Sequence, residues 1–310
     1  RLAGLMAAGA LILSACGGTA ATAAPASEAP AAGGGETIGV AFPNSDTFLS
    51  RVQDGIKAEA EAKGVTVTIT DAKDDTAAQL SQVENFISQK VDSIIVVPVD
   101  TSAAQPMADA AKKAGIPLVF VNRNPSIAGV PYVGSDSLYA GTVEMEELAK
   151  LAGGKGDVVI LQGQVSNEAA VLRTQGCNDV VGKNPGMKVV ATQSGEWDRA
   201  KGQAITENWI QSGTLKAGMV VCANNDEMAL GAINALKAAK LLDTVFVGGV
   251  DATSEALAAM KAGDLEVTEQ FIAYQRRDMT DGHVMDTTTL DLPEQTFTTQ
   301  AFWLAIPQPA

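Results

Sequence analysis

Short apolar segments alternate with amphipathic helical segments from Thr37 onward, and this alternation limits the chain to few folds. The segment "TIGVAF" has the length of a buried strand, and the segment after it has helical spacing and ends at Gly64. Three further strand segments follow, namely "VTVTITDA", "SIIVVPV" and "IPLVFV". Strands and helices that alternate at these lengths indicate a parallel sheet with helices on both faces.

The same alternation begins again after Ser135. The predicted strands of this second half are "GDVVILQG", "KVVATQSG", "AGMVVCANN", "TVFVGGVD" and the short "EVTEQF". The chain has 310 residues, of which 46% are hydrophobic and 19% charged, so it is long enough for two domains with their own cores. We therefore predict an α/β fold with two similar lobes, each built on a parallel sheet.

Polar and aromatic residues follow the predicted strands at the point where each strand ends. The buried segment Leu118–Val121 is followed directly by Asn122 and Arg123. An unpaired guanidinium inside a core is very costly, so this arginine is expected to face a wet cleft. Ligands of open α/β sheets bind beyond the carboxyl ends of the strands. The candidate residues at these ends are Asp46, Phe48, Asn122, Arg123, Asn167, Arg173, Trp197, Asn225, Asp226, Asp251 and Gln270.

The chemistry of these candidates suits a neutral polyhydroxylated ligand. An arginine fork donates to neighbouring hydroxyl oxygens, and a carboxylate accepts from hydroxyl groups. An aromatic face covers the C–H side of a ring. The charges of Arg123 and Arg173 balance those of Asp46 and Asp251, which favours a neutral sugar or cyclitol over an anion.

Several candidates also have purely structural explanations. We expect Asp226 to be the N-cap of the helix that follows it, and Asp251 and Asp46 also fit such a role. The two arginines also fit surface salt bridges. Trp197 also fits a core position, and Phe48 also fits a hydrophobic staple. For Cys177 and Cys222 we expect two separate buried thiols, with a disulfide as the alternative.

The first 36 residues do not have the pattern of the fold. Residues 1–16 have a basic start, an apolar run and small residues before Cys16, as in a secretory signal peptide. The sequence Leu13-Ser14-Ala15-Cys16 resembles the bacterial lipobox, which predicts a lipid on Cys16, although a plain signal peptide is the alternative. Residues 17–36 are mostly Ala, Gly, Pro, Ser and Thr, with almost no large apolar side chain to bury, and they predict a flexible tether.

The strand-end motifs "YVGSDSLYAG", "NNDEMALGA" and "GVDAT" stand in an order that resembles the periplasmic sugar-binding proteins of ABC importers, of the ribose-binding type. The resemblance covers Ile38 to about Gln270. The segments "VNRNP", "SNEAAVLRTQG", "NWIQSG" and "VDATSEALAAMKAGDLEVT" are most similar to the inositol-binding branch. Asn122 stands where ribose binders usually carry Asp, which argues against a simple aldopentose.

The resemblance implies the type I periplasmic binding protein fold, in which two Rossmann-like lobes are joined by a hinge. The first lobe would be residues 37–134 plus 271–296, and the second 135–270 plus 297–310. It places Asp46, Phe48, Asn122, Arg123, Arg173, Trp197, Asn225, Asp251 and Gln270 in the pocket. After Gln270 the chain departs from the family pattern, and "FTTQAFWLAIP" is similar to the closing strand.

The resemblance also implies a function and a location. Ligand would bridge the lobes and favour the closed state, which a membrane permease then recognises. The predicted protein is an exported monomer, anchored by lipid on the outer side of the cytoplasmic membrane or in the periplasm. The predicted ligand is myo-inositol, with aldopentose or hexose binding as the alternative. A sugar receptor for chemotaxis or signalling is also consistent with the same sequence.

Other classes of function are disfavoured. A net charge of −14 repels nucleic acid, and no helix-turn-helix precedes Thr37. The place of a dinucleotide-binding glycine fingerprint is taken by "PNSDTF". His283 is the single histidine, which excludes histidine triads and multi-histidine metal sites. We therefore expect no enzyme activity, no cofactor and no metal.

Overall fold

The computed structural model describes residues 35–269 and the backbone of residues 274–276. The strands are β1 (Thr37–Phe42), β2 (Thr66–Asp71), β3 (Ser93–Val96), β4 (Leu118–Val121), β5 (Tyr132–Gly134), β6 (Lys155–Gln162), β7 (Gly186–Ser194), β8 (Val220–Ala223), β9 (Phe246–Val250), β10 (Val267–Glu269) and β11 (Tyr274–Arg276). The helices are α1 (Thr47–Lys63), α2 (Thr76–Gln89), α3 (Gln105–Ala114), α4 (Ser137–Leu151), α5 (Glu168–Lys183), α6 (Arg199–Gln211), α7 (Asp226–Ala238) and α8 (Ser254–Ala262).

Two sheets organise these elements into two α/β lobes. The first sheet has the order β11-β5-β4-β3-β1-β2, and the second has the order β10-β9-β8-β6-β7. All neighbouring strands are parallel except β11, which pairs antiparallel with β5. The predicted type I periplasmic binding protein fold, with parallel sheets in two lobes, is confirmed.

Each sheet is buried on both faces, as the apolar strands predict. Alternate residues of a strand point to opposite faces, so one strand supplies two cores. Ile95 of β3 packs with Val40 and Phe42 on one face of the first sheet, whereas Ile94 packs with Phe120 on the other face. The second sheet is arranged in the same way. Val159, Leu161 and Trp209 lie in one of its cores, and Val158, Ile160 and Met145 lie in the other.

Helix α1 begins and ends where capping chemistry allows. The side chain of Asp46 accepts a hydrogen bond from the backbone N–H of Leu49, so Asp46 is the N-cap of α1. This was one of the roles considered for Asp46 in the sequence. Gly64 ends the helix at a φ of 67°, a left-handed conformation that glycine adopts without a Cβ clash. The cap fixes Asp46 just beyond the carboxyl end of β1.

The predicted cap of α7 is wrong by one residue. Asn225 is the N-cap, because its Oδ1 accepts the N–H of Met228 at 3.1 Å. Asp226 is the first helical residue, and its carboxylate accepts from Thr253 and Thr268 instead. Asp251 is not a cap either, since Thr253 caps α8 through its hydroxyl oxygen. Asn and Asp are equally good caps, so the sequence "NND" did not decide between them.

Cys177 and Cys222 form a disulfide, so the prediction of two separate thiols is wrong. Cys177 lies on the buried face of α5, and Cys222 lies in the middle of β8. Both residues are fully buried in the same core cluster. The bridge therefore links α5 to the sheet that this helix covers. The two segments are far apart in the sequence, so the local pattern around each cysteine does not reveal the contact.

Some elements were not predicted or lie outside the described residues. The three-residue strand β5 and the short 3-10 helices Thr101–Ala103 and Leu242–Thr244 were not predicted, because such short elements have no measurable periodicity. The signal peptide, most of the tether, Gln270 and "FTTQAFWLAIP" lie outside the described residues. Within the described part of the chain, no helix has the length and apolar composition needed to cross a membrane.

Candidate ligand-binding site

A cavity that is open to solvent lies where the carboxyl ends of strands from both sheets face each other. Its walls are formed by Asp46, Phe48, Leu49, Asn122, Arg123, Ala169, Arg173, Trp197, Asn225 and Asp251. Eight of the nine residues predicted for the pocket are therefore brought together, and the ninth, Gln270, lies outside the described residues. Leu49 and Ala169 were not predicted, because apolar side chains at a helix start give no polar signal.

Arg123 and Asp46 form the charged part of the first-lobe wall. The guanidinium of Arg123 donates from Nη1 to the carbonyl oxygens of Pro98 at 2.8 Å and Val99 at 3.3 Å. The side chain is 4% exposed, so the surface salt bridge considered for it is excluded. Burial lowers the pKa of Arg123 to about 10, which leaves it charged at neutral pH, and the charge of Asp46 opposes this shift.

Asn122 has a backbone conformation that suits its residue type. Its φ is 65°, in the left-handed region that asparagine enters more readily than most residues. Its backbone is held at both ends, since its N–H donates to Val133 O at 2.8 Å and its carbonyl oxygen accepts from the hydroxyl of Tyr132 at 2.9 Å. The side chain is therefore held at the cavity wall by a fixed backbone.

Arg173 is the centre of the second-lobe wall. Its Nη1 donates to the carbonyl oxygen of Asn224 and lies 3.9 Å from Oδ1 of Asp251. Its guanidinium carbon also lies 5.5 Å from the centre of the Trp197 ring, within the range of a cation–π contact. Both members of the ion pair are at least nine-tenths buried, which contradicts the alternative of a surface salt bridge.

The placement of the Trp197 ring depends on the neighbouring Gly163 and on an unfavourable backbone angle of Trp197 itself. Its φ is 67°, and a Cβ on Gly163 would lie 2.2 Å from its ring, so only glycine permits this placement. The Nδ2 of Asn225 donates to the carbonyl oxygen of Trp197 at 3.2 Å. The ring packs against the second-lobe core, which agrees with the core interpretation, and it also lines the cavity, while its contact with a ligand stays a prediction. Its Nε1 is buried without a hydrogen-bond acceptor among the described residues.

The charged side chains that line the cavity are two arginines and two aspartates, so their charges balance. Burial raises the pKa of Asp251 well above its usual value, and the positive charge of Arg173 opposes this shift. Burial likewise raises the pKa of Asp46, against the hydrogen bond from Leu49 and the charge of Arg123. Each lobe thus presents one guanidinium beside one carboxylate. A strongly charged ligand would leave one of these groups uncompensated.

Two buried residues beside the cavity were not predicted to support it. Asn224 accepts from the backbone N–H of Gly163 and from the hydroxyl of Thr174, and its carbonyl oxygen holds Arg173. Asp226 holds the loop that carries Asp251. The sequence signal that could have identified both residues is the triplet "NND" after β8, at positions 224–226. Of these three residues, only Asn225 was predicted to lie in the pocket. Asn167, a strand-end candidate, is buried and donates to Gln164 without lining the cavity.

Among the described residues, Arg51 and Thr101 make hydrogen bonds that join the two lobes. Arg51 of α1 donates from Nη2 to the hydroxyl oxygen of Ser254 of α8 at 3.1 Å. Thr101 donates to the carbonyl oxygen of Ser166 from its backbone N–H at 3.4 Å and from its hydroxyl at 3.3 Å. None of these four residues lines the cavity. The contacts therefore join the lobes outside the cavity.

One group of potential metal ligands occurs among the described residues. Glu144, Cys177 and Cys222 have ligand atoms within 4.8 Å of one another, and all three are buried. The two sulfur atoms are bonded to each other, so they are not available as thiolates. This group lies in the core under α4 and is separate from the cavity lining.

Comparisons with known proteins agree with this geometry. Residues 38–281 match the sequence family described as periplasmic binding protein domain. A putative rhizopine-binding protein of Rhizobium meliloti is 44% identical over 75% of this chain and 78% of its own length. A ribose import binding protein of Bacillus subtilis is 32% identical over 75% of each chain.

A solved structure gives the same fold. An ABC transporter solute-binding protein from Bacillus halodurans, with bound myo-inositol, is 42% identical and superposes with a TM-score of 0.73. The match covers 77% of this chain and 84% of that one. Both the sequence match and the shared two-lobe fold extend over most of the described residues. The chain therefore belongs to the periplasmic binding protein domain family, whose members here are solute-binding proteins and not enzymes.

Proposed function

We propose that the protein is the extracytoplasmic solute-binding component of an ABC importer and that it binds a neutral cyclic polyol, with myo-inositol as the first candidate. The ligand would enter the cavity between the lobes, and contacts to both lobes would favour the closed state. A membrane permease would then recognise the closed protein. The first lobe is proposed to be residues 37–134 plus 271–296, and the second 135–270 plus 297–310.

The observation that carries this proposal is the pairing of one arginine with one carboxylate on each side of the cavity. Arg123 and Asp46 come from the first lobe, and Arg173 and Asp251 come from the second. Each pair offers N–H donors and an oxygen acceptor at neighbouring positions, which matches adjacent hydroxyl groups on a ring. A ligand that fills the cavity must touch both pairs, so binding and closure are coupled.

The ring of Trp197 adds shape selectivity to this arrangement. An indole face covers apolar C–H groups, and its Nε1 is free to donate to a ligand hydroxyl. A cyclic polyol presents C–H groups on its faces and hydroxyl groups at its rim, and both kinds of contact are then satisfied. The similarity to a structure with bound myo-inositol supports the choice of that ligand.

An aldopentose or hexose is the alternative ligand. It is supported by the 32% identity to a ribose import binding protein. Asn122 argues against it, because a neutral amide replaces the charged acceptor that ribose binders usually carry. A receptor role in chemotaxis or signalling uses the same lobes and differs only in the membrane partner.

Lipid attachment at Cys16 and residence on the outer side of the cytoplasmic membrane, or in the periplasm, are part of this proposal. They rest on the signal-like residues 1–16 and on the lipobox-like sequence before Cys16. Expression in a bacterial host followed by mass spectrometry of the N-terminal peptide tests them. A diacylated Cys16 supports the anchor, and cleavage elsewhere with a free thiol contradicts it.

A thermal-shift screen tests the ligand class. The panel contains myo-inositol, other cyclitols, pentoses, hexoses, acyclic polyols and one sugar acid. A ligand at about a hundredfold its Kd stabilises the folded state by about 2.7 kcal/mol, which raises Tm by several degrees. A shift with myo-inositol and none with the sugar acid supports the proposal. A shift with the sugar acid alone contradicts the neutral-ligand assignment.

A further inference from the structure

Asp226 is a fully buried carboxylate beside the cavity that does not line it. It begins α7 and accepts hydrogen bonds from two residues that are distant in the sequence. The backbone N–H of Thr253 donates to its Oδ2 at 2.7 Å, and the hydroxyl of Thr268 donates to its Oδ1 at 2.6 Å. It therefore links three segments, namely α7, the loop after β9 and strand β10.

The loop that Asp226 holds carries Asp251 and has a strained backbone. Asp251 has a φ of 123° and Ala252 a φ of 48°, which are unusual for residues with a side chain. The N–H of Asp251 donates to Glu269 O at 2.8 Å, and the N–H of Ala252 donates to Thr268 Oγ1 at 3.0 Å. Such a conformation persists only when the surrounding bonds determine it, and here these bonds come from β10 and Asp226.

The sheet leaves space for this carboxylate at one position. A Cβ on Gly249 of β9 would lie 2.6 Å from Oδ1 of Asp226, so any larger residue would push the carboxylate away from Thr268. The packing of β9 against α7 is therefore matched to a carboxylate at this point. This is a second feature, independent of the hydrogen bonds, that fixes where Asp226 lies.

We propose that Asp226 is a positioning residue, which sets the loop conformation in which Asp251 faces the ligand. It does so by accepting hydrogen bonds both from the loop after β9 and from β10, the strand that leads towards the other lobe. This inference rests on the proposed function for its ligand. It goes beyond that function, because Asp226 touches no ligand and acts through Asp251.

The charges around Asp226 are consistent with this role. Burial raises its pKa to about 6, and the hydrogen bonds from Thr268 and Thr253 and the charge of Arg173 oppose the shift. Asp251 and Glu144 are the acidic groups that face it, and its charge raises the pKa of each of them. The carboxylate is thus kept in an unfavourable environment by its two donors, as expected for a group with a specific structural task.

Hydrogen exchange of the ligand-free protein tests the positioning role directly. The variants are Asp226→Asn, which keeps the shape and removes the charge, and Thr268→Val, which removes the hydroxyl. The matched control is Glu266→Gln, because Glu266 accepts the N–H of Val247 at 2.7 Å at the opposite end of the same strand pair. We expect amide exchange at residues 251–253 to rise about tenfold or more in the first two variants and to stay unchanged in the control.

Binding of myo-inositol tests whether Asp226 acts through Asp251. We expect Asp226→Asn to raise Kd about tenfold or more in the wild-type background. In the Asp251→Asn background, Asp226→Asn should alter Kd by less than about twofold, because the carboxylate of Asp251, through which Asp226 acts, is already removed. Glu266→Gln should leave Kd unchanged in both backgrounds.

The two experiments separate this inference from the proposed function. Unchanged exchange at residues 251–253 in both Asp226→Asn and Thr268→Val overturns the positioning role, and so do fully additive effects on Kd. If the wild-type protein binds neither myo-inositol nor any other polyol in the panel, the proposed function fails, and the exchange measurement still decides the role of Asp226.

Discussion

At the scale of single residues, the two buried arginines carry the most direct prediction. Arg123→Ala and Arg173→Ala each remove a hydrogen-bonded anchor from one wall of the cavity. We expect each change to raise Kd for myo-inositol at least about thirtyfold, since anchors of this kind contribute about 2 kcal/mol or more. Isothermal titration calorimetry measures the change.

Arg199→Ala is the matched control for the arginine variants. Arg199 lies in the second lobe and pairs with Glu227 and Glu255, and it does not line the cavity. We expect this variant to keep the wild-type Kd. If it weakens binding as much as Arg173→Ala does, the effect is one of general stability and the assignment of the cavity is contradicted.

Glu144 gives a prediction about pH. It is fully buried, its Oε1 accepts the N–H of Ala223 at 3.0 Å, and its Oε2 has no hydrogen-bond partner among the described residues. Burial raises its pKa well above the usual 4.5. The folded protein then keeps this proton to a higher pH than the unfolded chain, so its contribution to stability is present below about pH 4.5 and is lost as pH rises towards the folded pKa.

The variant Glu144→Gln isolates this contribution, because glutamine keeps the shape of the protonated acid and does not titrate. We expect the free energy of unfolding of the wild type, relative to the variant, to fall as pH rises above about 4.5 towards the raised pKa of the folded protein. Urea unfolding at a series of pH values measures it. A difference between the two proteins that is independent of pH would show that Glu144 titrates normally.

At the scale of elements, the disulfide between α5 and β8 is the strongest link. It closes a sequence separation of 45 residues. Chain-entropy arguments assign such a loop about 4 kcal/mol, with measured effects often smaller. We expect reduction, or the double change Cys177→Ser and Cys222→Ser, to lower the free energy of unfolding by about 2–4 kcal/mol.

Alkylation under denaturing conditions without reductant provides the check on the bridge itself. Neither Cys177 nor Cys222 should gain an alkyl group until a reductant is added. Modification of both residues in the absence of reductant would contradict the bridge. It would restore the sequence-based expectation of two separate thiols.

The sequence predicted the elements well and their local contacts less well. The alternation of apolar and amphipathic segments was sufficient for the main strands, the helices and the cavity at the strand ends, because parallel sheets place strand ends together. The disulfide and the role of Asp226 were missed, since both depend on contacts between segments far apart in sequence. The cap of α7 was misplaced because Asn225 and Asp226 have nearly equal capping propensity.

At the scale of the whole molecule, the contacts that join the lobes outside the cavity should set how long a ligand is held. The bond from Arg51 to Ser254 is exposed to solvent. We expect Arg51→Ala to leave both lobes folded and to raise the ligand dissociation rate at least about twofold, since the change removes at least this hydrogen bond. Stopped-flow measurement of tryptophan fluorescence gives this rate.

Ser254→Ala is the partner variant for this prediction. Its effect should be no larger than that of Arg51→Ala, and the double variant should be no worse than Arg51→Ala alone, because the serine change removes a bond that the arginine change already removes. Equal dissociation rates in all four proteins would mean that the contact does not stabilise the closed state.

Calorimetric titration of the wild-type protein with myo-inositol, at low and high salt, is the most direct test of the central claim. The balanced pairs on the two lobes predict one ligand per protein, a Kd of about 1 μM or tighter, and little change with salt, since a neutral ligand has no net charge to screen. Absence of binding to myo-inositol, together with salt-sensitive binding of a charged sugar, would contradict a cavity built for a neutral cyclic polyol.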